Sequence, residues 1–355
     1  MKQDVQVGSA KKSPIRVLIA DSSAVVRTAV KRILDSDDAL QVVGTAQDGA
    51  EALEKTIALR PDVVALDIEM GSANGRDTLR QIMHRCPHPV VVLTPPGEEA
   101  AEDTLQALDE GAFDWVQKDS PGNSRAAWRW RREVVSKLKE AARAGHNTAP
   151  EITFRIPPPG PVEARAEIVC IGSSSGGPKA LQQILPTLPS KLPAAVLLVQ
   201  HMPPGFTSAF AKRLHSLCAM QVREAHSEEA IEPGVILVAP AGWHMLLDDK
   251  NAPHIRLSTA PENLLHRPSV DVLMSSAAAM FRAACMGIIL TGMGSDGAQG
   301  MKAIFLRGGH TVGQDETSCA VYGMPRSCAE QGILRRILPL SGIGSEILRA
   351  TGYKP

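Results

Sequence analysis

The sequence predicts an α/β protein of two domains, and three observations lead to that prediction. Short apolar runs alternate with helical patterns through the first half of the chain. A proline-rich stretch at residues 157–161 interrupts the middle, and a second strand–turn–helix pattern begins at Ile168. Alternation of this kind is typical of parallel sheets covered by helices on both faces. A length of 355 residues is also sufficient for two hydrophobic cores.

The elements of the first half follow one another regularly. Five short apolar runs rich in branched residues predict strands at Ile15–Ala20, Gln41–Thr45, Val63–Leu66, Val90–Leu93 and Trp115–Gln117. Helical spacing of apolar residues between them predicts helices at about Ala24–Asp35, Gly49–Leu59, Arg76–His84 and Glu99–Glu110. The first domain is therefore predicted to contain a five-stranded parallel sheet.

Polar residues follow four of these strands at the points where the strands end. They are Asp21, Asp67, Thr94 and Lys118. The carboxyl ends of parallel strands meet at one edge of a sheet, where binding sites form in open α/β folds. Two carboxylates, a hydroxyl and an ammonium at one edge favour an aspartate that accepts a phosphoryl group with the help of Mg²⁺.

The middle of the chain predicts the domain boundaries. A helix is expected over Trp128–Ala144, whose Arg and Lys residues form either a docking face or, more simply, a solvated one. Prolines and weak periodicity then predict an extended linker at 145–165. We therefore expect an N-terminal extension at 1–14, a first domain at 15–144 and a second domain at 166–355.

The second domain opens with a motif that favours nucleophilic catalysis. The run from Ile168 ends in Gly172-Ser173-Ser174-Ser175-Gly176, which places Ser174 at the apex of a G-x-S-x-G turn. Such a turn exposes a hydroxyl, and the backbone N–H that follows it can stabilise an oxyanion. A phosphate cradle and a plain strand-to-helix turn are the alternatives for this segment.

Two other strand ends offer partners for Ser174. His201 follows the apolar run Val196–Gln200, and Asp296 lies in a glycine-rich segment after Gly287–Leu290. In a serine triad the histidine exchanges the proton and the aspartate fixes its tautomer. Glycines around Met293 would let its backbone N–H approach the oxyanion, as Ser175 would from the other side. Asp271 is interpreted only as a charge at a helix N-terminus.

Composition excludes several other classes of protein. The 38 basic residues balance 38 acidic ones, so net charge gives no attraction for nucleic acid or anionic membrane. No apolar run reaches the roughly 18 residues of a membrane span, which argues against membrane insertion. Residues 1–14 lack the apolar core of a secretory signal. The six cysteines are scattered without a C-x-x-C pair, so a cytoplasmic location is expected.

The first domain resembles a response-regulator receiver, which implies a flavodoxin-like fold. The similar segments are Val17–Ala24, Pro61–Met70 and Gly111–Lys118. The resemblance implies that Asp67 is the phosphoacceptor, that Thr94 is the switch hydroxyl and that Lys118 contacts the phosphate. A Mg²⁺ site is expected at Asp21 and Asp67, and Glu69 is close enough in the sequence for its side chain to contribute through a water. Ser22 departs from the family, which usually carries a second acid at this position.

The second domain resembles the catalytic domain of chemotaxis protein-glutamate methylesterases, which implies a doubly wound α/β fold. The similar segments are Ile171–Gly177, Gln200–Phe206, Val238–Pro240, His266–Leu273, Ile289–Gly297 and Tyr322–Arg326. The family's triad corresponds to Ser174, His201 and Asp296, and its oxyanion donors to the backbone of Ser175 and Met293. The resemblance implies no cofactor for the esterase itself.

Together the two resemblances imply a phosphorylation-controlled hydrolase of chemotactic adaptation. It would remove methyl esters from glutamates of methyl-accepting chemoreceptors and deamidate certain receptor glutamines. A chemotaxis-type histidine kinase would phosphorylate it. Two alternatives are a non-catalytic signalling adaptor and an esterase whose receiver is no longer phosphorylated.

Overall fold

The computed structural model describes residues 13–70, 74–118, 124–145, 165–249 and 252–354. The predicted extension at 1–14 and the predicted linker at 145–165 lie almost wholly outside the described residues. The chain divides into two compact units, which are built on separate sheets.

The first sheet has five parallel strands in the order β2-β1-β3-β4-β5. The strands are β1 (Ile15–Ala20), β2 (Leu40–Ala46), β3 (Val63–Asp67), β4 (Val90–Thr94) and β5 (Asp114–Gln117). The helices that alternate with them are α1 (Ala24–Leu34), α2 (Gly49–Leu59), α3 (Gly75–Arg85), α4 (Glu98–Asp109) and α5 (Ser124–Gly145). This strand order is that of a flavodoxin-like fold, and the predicted fold class is confirmed.

Local chemistry explains where the first helices begin. The Ser23 hydroxyl accepts the backbone N–H of Val26 at the start of α1, and the Asp48 carboxylate accepts that of Glu51 at the start of α2. Such side chains satisfy N–H groups that have no partner in the first turn of a helix. Strands β3 and β4 are buried along their whole length, as expected for central strands of a sheet covered on both faces.

The second sheet has seven parallel strands in the order β14-β13-β12-β6-β7-β9-β8. The strands are β6 (Ile168–Ser173), β7 (Ala195–Gln200), β8 (Gln221–Glu224), β9 (Val235–Val238), β12 (Cys285–Ile289), β13 (His310–Gln314) and β14 (Arg336–Leu338). An antiparallel hairpin of β10 (His244–Asp248) and β11 (His254–Ser258) stands apart from this sheet. The doubly wound α/β fold predicted for this domain is confirmed.

Six helices accompany the second sheet in the described part of the chain. They are α6 (Gly177–Ile184), α7 (Phe206–Leu217), α8 (Val270–Phe281), α9 (Ala298–Leu306), α10 (Met324–Glu330) and α11 (Leu340–Thr351). Buried side chains of β6, β7, α8 and β12 belong to one core. Among the described residues, no helix is long and apolar enough to cross a lipid bilayer.

The strand order of the second sheet determines where a site can form. From β6 the chain proceeds to β7 on one side, whereas β12 pairs with β6 on the other side. Loops that leave neighbouring strands in opposite directions open a crevice beyond the carboxyl ends of those strands. Ser174 follows β6, His201 follows β7 and Asp296 lies in the segment after β12, so all three border this crevice.

Candidate active site

Ser174 lies on a tight turn between β6 and α6. Its backbone N–H donates to Thr291 O (3.0 Å), and its carbonyl accepts the N–H of Gly177 (2.8 Å). Gly176 has a φ of +75°, which favours glycine, and a Cβ there would lie 2.5 Å from the Cβ of Ala320. The predicted strand–turn–helix geometry of the motif is therefore present, with the Ser174 side chain half-buried at the crevice.

A buried glutamine connects this turn to the end of β7. The Gln200 amide donates from Nε2 to the carbonyl oxygens of Ser174 (2.9 Å) and His201 (3.1 Å). Its Oε1 accepts the Ser173 hydroxyl at 2.7 Å. Because a buried amide with all these partners is costly to move, Gln200 fixes the backbone at Ser174 relative to that at His201.

His201 and Asp296 are brought together by the fold. The His201 Nε2 lies 2.8 Å from Asp296 Oδ2. A carboxylate only accepts, so Nε2 carries the proton and Nδ1 holds the lone pair. Nδ1 is buried and has no hydrogen-bond partner within the described part of the chain. The nitrogen available as a base is therefore Nδ1.

The Asp296 carboxylate is held at the N-terminus of α8 by four donors. Oδ1 accepts the Ser269 hydroxyl (2.8 Å) and the backbone N–H of Asp271 (3.1 Å), while Oδ2 accepts the N–H of Val270 (2.8 Å) and His201 Nε2. Burial opposes ionisation, but these hydrogen bonds outweigh it and hold the pKa of Asp296 well below its usual range. The carboxylate is consequently charged at any pH at which the protein works, as an orienting group for an imidazole must be.

Two backbone N–H groups beside Ser174 are free to receive an oxyanion. Neither the N–H of Ser175 nor that of Met293 donates a hydrogen bond to another described residue. The loop that carries Met293 passes close to the nucleophile, since a Cβ on Gly292 would lie 2.8 Å from the Ser174 Cβ. Only glycine at 292 permits this approach, which agrees with the glycines that the sequence places here.

The four polar strand-end residues of the first domain also lie together. Lys118 Nζ is 2.8 Å from Asp21 Oδ2 and 2.6 Å from Asp67 Oδ1. The backbone N–H of Lys118 donates to Thr94 O at 2.6 Å. Burial, together with the charge of Asp67, raises the pKa of Asp21, although Lys118 and the N–H of Ser23 oppose the shift.

These residues provide oxygen donors of the kind that Mg²⁺ prefers. Asp21 and Asp67 are buried carboxylates, and the Ser22 hydroxyl lies 3.4 Å both from Asp67 Oδ2 and from the carbonyl oxygen of Glu69. The Glu69 side chain is exposed, and no cluster of three acidic, histidine or cysteine side chains suited to a metal occurs among the described residues. The Glu69 carbonyl oxygen lies in this cluster, since it accepts the Ser22 hydroxyl, and a contribution of the Glu69 carboxylate stays a prediction. Two carboxylates and a carbonyl fit Mg²⁺, which retains several waters.

Comparison with known proteins identifies both domains. The family profile described as CheB methylesterase matches residues 169–347, and that described as response regulator receiver domain matches residues 17–125. The chain belongs to the CheB methylesterase family. A protein of Symbiobacterium thermophilum named protein-glutamate methylesterase/protein-glutamine glutaminase is 44% identical, over 96% of this chain and 98% of its own. A Geobacter sulfurreducens protein of the same name, with the suffix 1, is 41% identical over 95% of this chain and 98% of its own.

A solved structure extends this similarity to the fold of the second domain. The crystal structure of the Thermotoga maritima CheB methylesterase catalytic domain superposes with a TM-score of 0.51 at 37% identity. The match covers 52% of this chain and 99% of that structure. Both resemblances found in the sequence are thereby confirmed, whereas the roles of individual residues stay predictions.

Several residues of this CheB-family site escaped the sequence analysis. The Thr291 hydroxyl donates to Ser175 O and accepts the N–H of Val321, both at 2.9 Å, and so braces the turn. The Asp271 carboxylate does more than place a charge on its own helix, since it accepts the N–H of Gly300 (2.8 Å) in the first turn of α9. Gln200, Ser269 and His266 lie in the motifs that carry the resemblance. Their spacing does not indicate which backbone, carboxylate or ring atoms their side chains contact.

Proposed function

We propose that this protein hydrolyses glutamate γ-methyl esters on methyl-accepting chemoreceptors and deamidates receptor glutamines at the same site. The observation that supports the proposal is the His201–Asp296 pair, which leaves Nδ1 without a hydrogen-bond partner among the described residues and lies at strand ends next to the Ser174 turn. Family membership supplies the substrate class, because relatives that match almost the whole chain are named for both reactions.

Acylation uses the three residues in the roles that their contacts favour. Ser174 Oγ attacks the ester carbonyl carbon while its proton passes to His201 Nδ1. The N–H groups of Ser175 and Met293 donate to the oxyanion of the tetrahedral intermediate. The intermediate collapses as His201 returns the proton to the methoxide, and methanol leaves an acyl-enzyme on Ser174.

Deacylation reverses these roles with water as the nucleophile. His201 Nδ1 accepts a proton from water, whose oxygen attacks the acyl carbon, and then returns that proton to Ser174 Oγ. The product is a free glutamate side chain. With a glutamine substrate the leaving group is ammonia in place of methanol, so one acyl-enzyme accounts for both activities.

The first domain would control this reaction through phosphorylation of Asp67 by a chemotaxis-type histidine kinase. Asp21, Asp67 and the Glu69 carbonyl would hold Mg²⁺, which shields the charge of the incoming phosphoryl group. Lys118, already paired with Asp67, would contact the phosphate, and Thr94 would provide the switch hydroxyl. The arrangement that we propose is a receiver at 15–144, a linker at 145–165 and a catalytic domain at 166–355, acting in the cytoplasm on the receptors' cytoplasmic helices.

The test is methanol release from membranes that carry methylated receptors. We expect Ser174→Ala to lower kcat by roughly 10³-fold or more. The matched control is Ser190→Ala, at an exposed serine of the same domain, which should leave the rate unchanged. Addition of a small acyl phosphate should stimulate the wild type but not Asp67→Asn. Turnover by Ser174→Ala near the wild-type rate would remove the nucleophile and favour the non-catalytic adaptor.

A further inference from the structure

An imidazole that the mechanism does not use lies flat against the catalytic histidine. The rings of His266 and His201 are stacked, with centroids 4.0 Å apart and planes inclined by only 9°. His266 is half-buried and lies four positions before Val270, the first residue of α8. The His266 ring therefore lies over one face of the His201 ring.

The His201 ring needs such a contact because its hydrogen bond constrains it at one edge only. The bond from Nε2 to Asp296 fixes the direction of that nitrogen but permits the ring plane to tilt about the bond. A tilt changes the direction of Nδ1, the nitrogen that takes the proton of Ser174 Oγ in the proposed reaction. Proton transfer needs donor and acceptor within hydrogen-bond reach, so a small tilt reduces the rate.

The segment that carries His266 is itself firmly held. The carbonyl of Arg267 accepts the N–H of Gly242 (3.1 Å), and His244 Nδ1 accepts the N–H of Ser269 (3.2 Å). His244 is completely buried, and its Nε2 lies 3.2 Å from Pro261 O. The same segment ends in the donors that hold Asp296, so the ring face and the orienting carboxylate share one rigid support.

We propose that His266 is a positioning residue that keeps the His201 imidazole in the plane in which Nδ1 faces Ser174. This inference rests on the proposed function, since it assigns His266 a role toward the nucleophile of that reaction. It acts on His201 through the flat face of its ring. A phenyl ring at 266 should therefore replace it, whereas a side chain without a planar ring should not.

The experiment measures the rate at which a fluorophosphonate probe labels Ser174, together with kcat and KM for methanol release. We expect His266→Ala to slow labelling and lower kcat by about tenfold, the upper end of what an aromatic pair contributes. KM should stay within about twofold, because the variant alters the orientation of the base and not the contact with the receptor. His266→Phe should restore both rates to within about threefold of the wild type.

Controls separate this role from a general effect on stability. His226→Ala, at an exposed histidine of the same domain, should label at the wild-type rate. The thermal unfolding midpoint of His266→Ala should lie within about 6 °C of that of His266→Phe, because an aromatic pair contributes about 0.5–1.5 kcal/mol, and both variants should be folded at the assay temperature. Wild-type rates in His266→Ala would overturn the proposal. Wild-type rates in His266→Asn combined with reduced rates in His266→Phe would overturn it as well. Absence of Ser174 labelling in the wild type would instead contradict the proposed serine chemistry itself.

Discussion

Replacement of Asp296 by asparagine tests the charge at the centre of the site. The change keeps the shape of the side chain but replaces one carboxylate oxygen by an NH₂ group. In the wild type each carboxylate oxygen of Asp296 accepts two hydrogen bonds. In the variant, either orientation of the amide therefore turns its NH₂ group toward two donors. One backbone N–H at the start of α8 then loses its acceptor, at a cost of about 1–3 kcal/mol.

The two amide orientations differ in what they do to His201. With Nδ2 toward the imidazole, Nε2 must become the acceptor, the proton moves to Nδ1, and the base is lost. A loss of about 10⁴-fold in kcat follows such a change of tautomer in comparable triads. With Oδ1 toward the imidazole the tautomer survives, but His201 then donates to a neutral amide. A hydrogen bond to a charged group contributes about 1.5–3 kcal/mol, so loss of the charge should lower kcat roughly 10- to 100-fold.

The assay is methanol release at saturating receptor membranes, with thermal unfolding of the same samples. Asp249→Asn, at an exposed aspartate of the same domain, is the matched control and should change neither quantity. We expect Asp296→Asn to lower kcat at least tenfold and to lower the unfolding midpoint by roughly 2–4 °C per kcal/mol. A kcat within threefold of wild type would refute the triad role of Asp296, and an unchanged midpoint would refute the account of four donors.

The same variant should alter the dependence of stability on pH. The folded-state pKa of Asp296 is below its unfolded value, which is about 3.9. Its contribution to stability is therefore complete above that unfolded value and is lost as pH falls through the folded-state pKa. Asp296→Asn should flatten the acid side of the stability curve below about pH 4, measured as denaturant midpoints from pH 2 to pH 6.

Two further predictions concern the first domain. Ser22 offers a neutral hydroxyl where a carboxylate would bind Mg²⁺ more strongly. Ser22→Asp should therefore take up a phosphoryl group from a small phosphodonor at lower Mg²⁺ concentrations than the wild type. Equal Mg²⁺ titrations of the two proteins would show that Ser22 is not at the metal. Burial and, to a lesser extent, the charge of Asp114 raise the pKa of Glu140 to about 7 in the folded protein. The unfolded value is about 4.3, so ionisation of this carboxyl lowers the free energy of unfolding as pH rises between the two values. Glu140→Gln should therefore unfold at a higher temperature than wild type at pH 8 but not at pH 4, and an equal difference at both pH values would contradict the assignment.

The sequence was sufficient to locate most of the first sheet and the strand ends of the site. Strands such as Val63–Asp67 are buried on both faces and appear as uninterrupted apolar runs. Helix α5 begins at Ser124, four residues before the predicted Trp128, because helix boundaries carry weaker signals than helix interiors. The hairpin of β10 and β11 was not predicted, since its partly exposed strands lack such a run.

The geometry within the site depends on contacts that no local pattern reveals. Ser174, His201 and Asp296 could be proposed together because parallel strands bring their carboxyl ends to one edge. Which imidazole nitrogen faces Asp296 is decided by where α8 begins, and the sequence near His201 carries no information about it. The stacking of His266 on His201 joins segments distant in the chain, so only the folded structure shows it.

Helices α8 and α9 each have a carboxylate that accepts backbone N–H groups of the other helix, and this affects how the site can open. Asp296, just before α9, accepts N–H groups at the start of α8, while Asp271, in the first turn of α8, accepts the N–H of Gly300 in α9. If either helix frays from its N-terminus, it withdraws the acceptor that satisfies the other. We therefore expect the two helices to open as one cooperative unit and their amide hydrogens to exchange with solvent together. Asp296 should therefore stay in place for as long as the N-termini of both helices remain folded, although it lies in a glycine-rich loop.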